Sequence, residues 1–294
     1  MPAARPRFPS RIGPYTVLTA LDGDATSTVA ERRCIARSGA GDRTVVLSLP
    51  PSGADHARWA AEAVTARDLA LPGHVRITEL GTSSDLPWYG VEYRPLLALP
   101  AILGAYGGPL PEHTVRALGA SLASSLAMAH ARGVAHGGLS PEAVLLGTEG
   151  PRVGCFGAAR VAAPDGVVRS GVPWLNSVCL APEQQSGGRP RPPGDVHALG
   201  AVIAYAATGR PSPETGDLPR SLRDPVSRCL SRDPAQRPRA DHLAEELAGA
   251  TTAAPSATVL DVSAPIPLPG RVIAALARQS AALLGAEIRL DPRK

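Results

Sequence analysis

The stretch that decides the fold is HGGLSPEAVLL, which occupies positions 136–146 of the chain. It follows a segment, 111–132, whose apolar residues recur at the spacing of one helix face, with a proline in the first turn and a glycine just past the end. Three positions inside the stretch carry little reactive chemistry. Gly138 has no proton acceptor, Ser140 carries no charge, and Ala143 has no oxygen to offer a hard metal ion. The stretch therefore supplies neither a general base nor a metal ligand at these positions.

Four further motifs follow on the C-terminal side. RVGCFG at 152–157 predicts a strand and a turn, and APE stands at 181–183. A helix is predicted in DVHALGAVIAY from Asp195, and Arg237 lies in the motif CLSRDPAQRP. Only residues 209–218 separate the end of this helix from Pro219, which leaves room for at most a reduced helix in that segment.

The N-terminal third predicts strands around one helix. Residues 15–21 alternate between apolar and polar and are β-prone, and 43–50, 75–80 and 88–93 predict further strands. Residues 54–71 have helical periodicity and contain Glu62.

In this order, the motifs resemble those of the serine/threonine protein kinases of actinobacteria, over about residues 11–249. The resemblance implies an α+β, bilobal protein kinase-like fold, with a small β-rich N-lobe that includes the helix named αC and a larger helical C-lobe. The expected parts are an N-terminal lead at 1–10, the N-lobe at about 11–93, the C-lobe at about 94–249, a Pro/Ala-rich linker at 250–270, and a C-terminal helix and tail at 271–294.

The resemblance also implies that the positions performing the family's chemistry are degenerate. In the family, a catalytic-loop aspartate accepts the substrate hydroxyl proton, two lysines contact phosphate, and an asparagine and a second aspartate hold magnesium. The matching positions of this chain are Gly138, Ser48, Ser140, Ala143 and Cys155. No shift of alignment supplies the missing groups, because Lys294 is the only lysine and Asn176 the only asparagine. An arginine from elsewhere is left open as a substitute, although its planar guanidinium is not equivalent to an ammonium.

The family's nucleotide-binding elements are altered as well. The glycine-rich loop matches Asp22, Asp24 and Ser27, where carboxylates would repel a triphosphate. The hinge matches Glu92 and Tyr93. The family uses ATP and magnesium, but the expectation for this chain is no cofactor and no metal site.

A second set of positions keeps the residues that the family uses to hold its structure together. These positions are Glu62, His136, Phe156, Gly157, Glu183, Asp195 and Arg237. The resemblance implies that Arg237 pairs with Glu183, the glutamate of APE. The family pairs Glu62 with the missing lysine, so this carboxylate is expected to be solvated or locally paired. Cys155 is expected to be a packed thiol, with a reactive thiol as the alternative.

Composition excludes several classes of function. The formal net charge is only +4 and the arginines are scattered, which does not favour a nucleic-acid-binding face. The four cysteines lack the spacing of zinc ligands, and no stretch of eighteen or more apolar residues could span a bilayer. The N-terminal residues lack the apolar run of a secretory signal, so a cytoplasmic protein is expected.

The C-terminal segment 271–286 predicts an alanine-rich helix with an apolar face. Two interpretations stay open: the helix packs on the large lobe, or it presents its apolar face to a partner.

The function expected from these observations is a pseudokinase, which is not an enzyme and acts as a protein-binding scaffold or allosteric regulator of a kinase or other enzyme. The alternative is a weak or atypical ATP-binding serine/threonine protein kinase. A third possibility is that the cleft holds another small molecule. The sequence leaves open whether another kinase phosphorylates Ser170 or Ser177, the hydroxyl residues of the segment that precedes APE.

Overall fold

An antiparallel sheet of six strands forms the N-terminal lobe of the computed structural model, which describes residues 8–21, 29–249 and 266–290. The strands are β1 (Arg11–Ile12), β2 (Tyr15–Ala20), β3 (Arg32–Ser38), β4 (Thr44–Leu49), β5 (Glu79–Ser83) and β6 (Leu86–Glu92), in the order β1-β2-β3-β4-β6-β5. Helix α1 (His56–Leu69) packs against β6. Asp55 caps its first turn by accepting a hydrogen bond from the Arg58 amide, and Ala70 ends it in the left-handed region at φ 43°.

The C-terminal lobe is helical and carries one small sheet. The sheet has the strands β7 (Leu97–Ala98), β8 (Val144–Gly147) and β9 (Gly150–Val153). The helices are α2 (Leu99–Tyr106), α3 (Glu112–Ala131), α4 (Ala158–Ala162), α5 (Pro182–Gln185), α6 (Pro192–Thr208), α7 (Arg220–Cys229), α8 (Ala240–Gly249) and α9 (Gly270–Leu290). Helix α3 packs against α6 and α8, and its apolar stripe lies in the core of this lobe. The two-lobed α+β arrangement expected from the sequence is confirmed.

Two local expectations can be compared with the structure, and a third lies largely outside the described residues. The strand expected at 75–80 was misplaced, because β5 begins only at Glu79 and Val75 instead donates its N–H to the carbonyl of Val153. Between α6 and α7 the structure has a single 3₁₀ turn, Thr215–Asp217, in agreement with a reduced helix. The linker expected at 250–270 and the tail lie largely outside the described residues.

Helix α9 confirms the predicted C-terminal helix and packs on both lobes. Val272 is fully buried in the core of the helical lobe. Leu283 packs against Ile35 and Val46 of the N-terminal sheet. Packing on the chain itself was one of the two open interpretations, but contact with the N-terminal lobe was not expected. No helix in the described part of the chain is long and apolar enough to cross a membrane.

An ion pair holds α5 to the end of the helical lobe. The Arg237 guanidinium donates to both carboxylate oxygens of Glu183, at 2.6 and 2.9 Å, as the motifs predicted. It also donates to the carbonyls of Pro193 and Ser231. The side chain of Arg237 is fully buried, so these acceptors replace water around a charge that would otherwise be desolvated.

We expect Arg237→Ala to lower the free energy of unfolding by about 3 kcal/mol, because it leaves the partly buried Glu183 carboxylate without its cation. Urea unfolding followed by circular dichroism measures the change. The control is Arg239→Ala, which removes an arginine that is 76% exposed and pairs with Asp241, and which should change stability by about 0.5 kcal/mol or less. Equal effects of the two substitutions would contradict a structural role for the buried pair.

Candidate active site

The loop at 136–146 is anchored by the carboxylate of Asp195 at the start of α6. This buried carboxylate accepts hydrogen bonds from the backbone N–H groups of His136 and Gly137, at 2.7 and 2.8 Å. His130 adds a third contact at 2.9 Å from its Nε2. Burial alone would raise the pKa of the Asp195 carboxyl, but these hydrogen bonds outweigh it and hold the pKa below its ordinary value. His130 is thus largely buried and bound to the loop anchor.

His136 is buried in the middle of the loop. Its Nδ1 accepts a hydrogen bond from the N–H of Gly138 at 3.1 Å, and the ring of Phe156 stands edge-on to it at 5.5 Å between centroids. Burial lowers the pKa of His136 from 6.5 to about 3, because an imidazolium would lose its hydration there. His136 and Phe156 therefore form a neutral, packed contact between the loop and the CFG turn.

Gly138 stands where the family has its proton-accepting aspartate. A Cβ atom at this position would overlap the carbonyl oxygen of Cys155 and would lie 3.0 Å from the Cβ of Ala158. The space that an aspartate would need is thus filled by the CFG turn and the start of α4. The glycine is required by this close approach of two backbones.

Ser140 and Ala143 are part of the local structure of the loop. The Ser140 hydroxyl accepts a hydrogen bond from the Ala143 amide and caps a 3₁₀ turn, Pro141–Ala143. Ala143 is fully buried, and its carbonyl accepts from the amide of Gly154 at 2.8 Å. The Ser140 side chain therefore satisfies a backbone group of the loop, and the Ala143 side chain fills the core.

Cys155 lies in a hydrophobic cluster with Ala143, as expected for a packed thiol. It is 3% exposed and has a left-handed backbone conformation at φ 59°. The same cluster contains Trp59 of α1 and Trp174 from the segment before APE. Both positions that hold magnesium in the family are therefore apolar core positions here. An alanine side chain has no ligand atom and a thiol is a soft ligand, so these two residues do not fit a magnesium ion, which prefers oxygen ligands.

Ser48 lies on β4 opposite Arg33 of β3, and the two residues are partners in the strand register. Arg33 is only 3% exposed, and its Nη2 donates to the carbonyl of Glu142 in the loop at 3.4 Å. Both side chains line the cavity between the lobes. The sequence analysis left open an arginine substitute and did not identify Arg33. The sequence feature that could have identified Arg33 is a charged residue that directly precedes a run of apolar residues in a β-prone segment.

Glu62 of α1 has a partner that the sequence analysis did not identify. The Arg160 guanidinium of α4 donates to both of its carboxylate oxygens, at 2.7 and 2.8 Å. Arg160 also donates to the carbonyl of Ala135 and lies 5.0 Å above the ring centroid of Phe156. Of the two expectations, a solvated or a locally paired carboxylate, the structure has a paired one, and the Glu62 side chain is 17% exposed. Its cation comes from a residue 98 positions away in sequence, three residues after Gly157.

The remaining predicted site residues lie as follows. Glu92 is the last residue of β6 and is exposed, and Tyr93, which follows it, is half-buried. Asp22, Asp24 and Ser27 lie outside the described residues. Ser170 and Ser177 are both exposed.

The segment before APE is held by a second buried arginine, Arg169. Its guanidinium donates to the carbonyls of Ala159, Ala163, Gln184 and Gly188 at 2.6 to 3.2 Å. These acceptors keep the segment folded against the lobe without a phosphate group.

The fold and the ordered motifs define a protein kinase-like domain. The chain is homologous to actinobacterial serine/threonine protein kinases. It is 31% identical over 264 residues to the probable serine/threonine-protein kinase PkwA of Thermomonospora curvata, which covers 83% of this chain and 35% of the relative. It is 28% identical over 262 residues to the serine/threonine-protein kinase AfsK of Streptomyces coelicolor, covering 82% of this chain and 32% of the relative. The serine/threonine-protein kinase PknD of Mycobacterium tuberculosis is 30% identical over 252 residues, with coverages of 82% and 37%.

The chain thus spans about a third of the length of these curated relatives. Among solved structures, the PknI kinase domain of Mycobacterium tuberculosis superposes with a TM-score of 0.58 at 18% identity, covering 82% of this chain and 97% of that domain. No family model matches the sequence.

This homology corrects one prediction. The expectation that the chain is not an enzyme is wrong, because relatives aligned over some four fifths of it are named as serine/threonine protein kinases.

We expect Gly138→Ala to destabilise the protein by about 3 kcal/mol, since the added methyl group must displace the Cys155 carbonyl or Ala158. Chemical denaturation measures the change. Gly104→Ala is the matched control: no atom lies within 4 Å of its Cβ position in α2, so it should be neutral or slightly stabilising. A neutral Gly138→Ala would show that the loop and the CFG turn are not in close contact.

We expect stability to fall as the pH is lowered from 6.5 towards 3. His136 stays neutral in the folded state while the unfolded chain takes up a proton near pH 6.5, so its contribution is complete above that pH and is lost below it. The loss at pH 5 is about 2 kcal/mol from this residue. Denaturation at pH 7.5 and 5.0 measures it. His136→Asn should reduce the difference, whereas His242→Asn, at an exposed site, should not. Equal pH dependence in all three proteins would contradict the assignment.

Proposed function

We propose that this chain is an atypical serine/threonine protein kinase domain that binds a nucleotide between its lobes and transfers phosphate weakly. The observation that carries the proposal is the position of Arg33. Its guanidinium enters the interlobe cavity from the strand next to Ser48, where the family lysine is missing.

Arg33 fits the task of binding an anion inside the cleft. A guanidinium presents several N–H donors in one plane and binds phosphate in a bidentate manner. Burial strengthens such a contact, because little water competes for the donors. In this structure the Arg33 Nη2 donates to the Glu142 carbonyl at 3.4 Å, which places the guanidinium between the sheet and the loop.

One part of the cavity lining fits the apolar part of a nucleotide. Leu21, Val46, Val91 and Leu145 line it from both lobes, whereas Ser48, Tyr89, Glu31, Glu92 and Arg94 are polar or charged residues of the same lining. A planar base between aliphatic side chains buries apolar area without leaving polar groups of the protein unpaired.

Weak transfer follows from the positions described above. Gly138 has no proton acceptor and no space for one, and Ala143 and Cys155 lie in an apolar cluster. Loss of one positioned acid–base group slows reactions by about 10²–10⁴-fold, and loss of electrostatic stabilisation adds to it. We therefore propose a rate at least about 10⁴-fold below that of a complete kinase site.

A regulatory role through protein contacts forms part of the proposal, with a kinase or another enzyme as the partner. Val167, Val168 and Val178 are exposed large apolar side chains of the segment that precedes APE. Arg169 holds that segment in a fixed conformation, which favours docking without prior ordering. The four free cysteines fit a reducing compartment, and we propose the cytoplasm.

We expect ATP binding to be weakened about tenfold or more by Arg33→Ala, because the substitution removes a charge-assisted contact to phosphate. Isothermal titration calorimetry with ATP, with and without magnesium, measures the affinity. Incorporation of γ-³²P from labelled ATP into the protein or a general substrate measures transfer, which should be slow in the wild type and slower in the variant.

The matched control is Arg32→Ala. Arg32 carries the same charge on the same strand, but its Nε donates to the Pro50 carbonyl and it does not line the cavity. Its removal should leave ATP binding unchanged. No nucleotide binding by the wild type, or an equal effect of both substitutions, would contradict the proposal.

A further inference from the structure

Helix α9 carries a single contact face that runs from one lobe to the other. The half-buried and buried residues Val272, Leu276, Gln279 and Leu283 are spaced at i, i+4, i+7 and i+11 and therefore lie on one side of the helix. The rise of about 1.5 Å per residue puts the two ends of this face about 16 Å apart, enough to pass over a hinge.

The first turn of α9 is fixed to the helical lobe. Val272 is fully buried in the core of that lobe. Just before the helix, the carbonyl of Pro267 accepts a hydrogen bond from the Thr114 hydroxyl at 3.3 Å, and Ile266 is buried in the same core. Arg271 donates to the carbonyl of Tyr106 at the end of α2. These contacts determine where the rest of the helix points.

The middle of α9 binds the chain just after the hinge through Gln279. Its side-chain carbonyl accepts from the Leu96 N–H at 3.1 Å, and its NH₂ group donates to the Leu96 carbonyl at 3.1 Å. The single Gln279 amide thereby pairs with both the N–H and the carbonyl of Leu96. A neighbouring β-strand would make the same pair of hydrogen bonds. Such a paired contact is specific in direction as well as position.

Leu283 reaches the N-terminal sheet at the cleft. It is 6% exposed and packs with Ile35 and Val46, while Leu21, Val91 and Tyr93 pack against the same cluster. Leu21, Val46 and Val91 also line the interlobe cavity. Three of the four apolar residues proposed to contact a base therefore belong to the cluster that contains Leu283.

We infer that the mouth of the cleft is a helix-binding site, that α9 is its occupant, and that the docked helix competes with a nucleotide for this side of the cleft. The competition rests on the nucleotide function proposed above, whereas the docking of α9 does not. A ligand that binds only when α9 is undocked has an apparent association constant equal to its intrinsic value multiplied by the undocked fraction. Undocked, α9 would present Leu276 and Leu283 as one apolar face.

The test compares Leu283→Asp with Leu284→Asp in the full chain. The first places a carboxylate in the apolar cluster, while Leu284 is 59% exposed and offers a matched control one residue away. Amide hydrogen exchange of residues 273–285 and of Leu96 reports docking without any nucleotide. Calorimetry with ATP then reports competition. We expect faster exchange and about tenfold tighter ATP binding for Leu283→Asp only.

The two readouts separate the two proposals. Unchanged exchange in Leu283→Asp, or equal acceleration in both variants, would overturn the docking site. Faster exchange with the ATP affinity of the wild type would overturn the competition. Faster exchange with no ATP binding in any protein would support docking, but it would overturn both the competition and the nucleotide function.

Discussion

The carboxylate of Asp195 holds the centre of the molecule together. It is buried, yet it accepts hydrogen bonds from two consecutive backbone amides of the loop and from His130 of α3. A buried charge of this kind is tolerated only where several donors replace its hydration. Since α3, α6 and the loop meet at this one group, the positions of His136 and Gly138 follow from it, and so does the contact of the loop with Phe156 and α4.

The frame of the fold could be predicted because it depends on short ordered motifs. The HGGLSPEAVLL stretch, the Glu183 and Arg237 pair and the helix from Asp195 each combine a local pattern with a fixed place in the chain. The apolar spacing of α3 and α9 also identified both helices, because helical periodicity is a local property. The edge strand β5 was misplaced, since only one side of it pairs and its alternation is weak.

The arginines of the site could not be predicted in the same way. Arg33, Arg160 and Arg169 find their acceptors through the fold, and a long side chain can reach carbonyls and carboxylates from several backbone positions. Motif comparison identifies a missing lysine at Ser48 but does not identify the neighbouring strand residue that faces the same cavity. The sequence likewise showed that Gly138 has no side chain, but it could not show that the Cys155 backbone occupies the space a side chain would need.

The pair of hydrogen bonds between Glu62 and Arg160 has a mechanical consequence. Two parallel N–H···O contacts resist rotation as well as separation, so the position of α1 is coupled to that of α4. Arg160 is also bonded to the carbonyl of Ala135 at the entrance of the loop. A protein that binds the N-terminal lobe and tilts α1 would therefore also displace Arg160 and, through it, the start of the loop at the floor of the cleft.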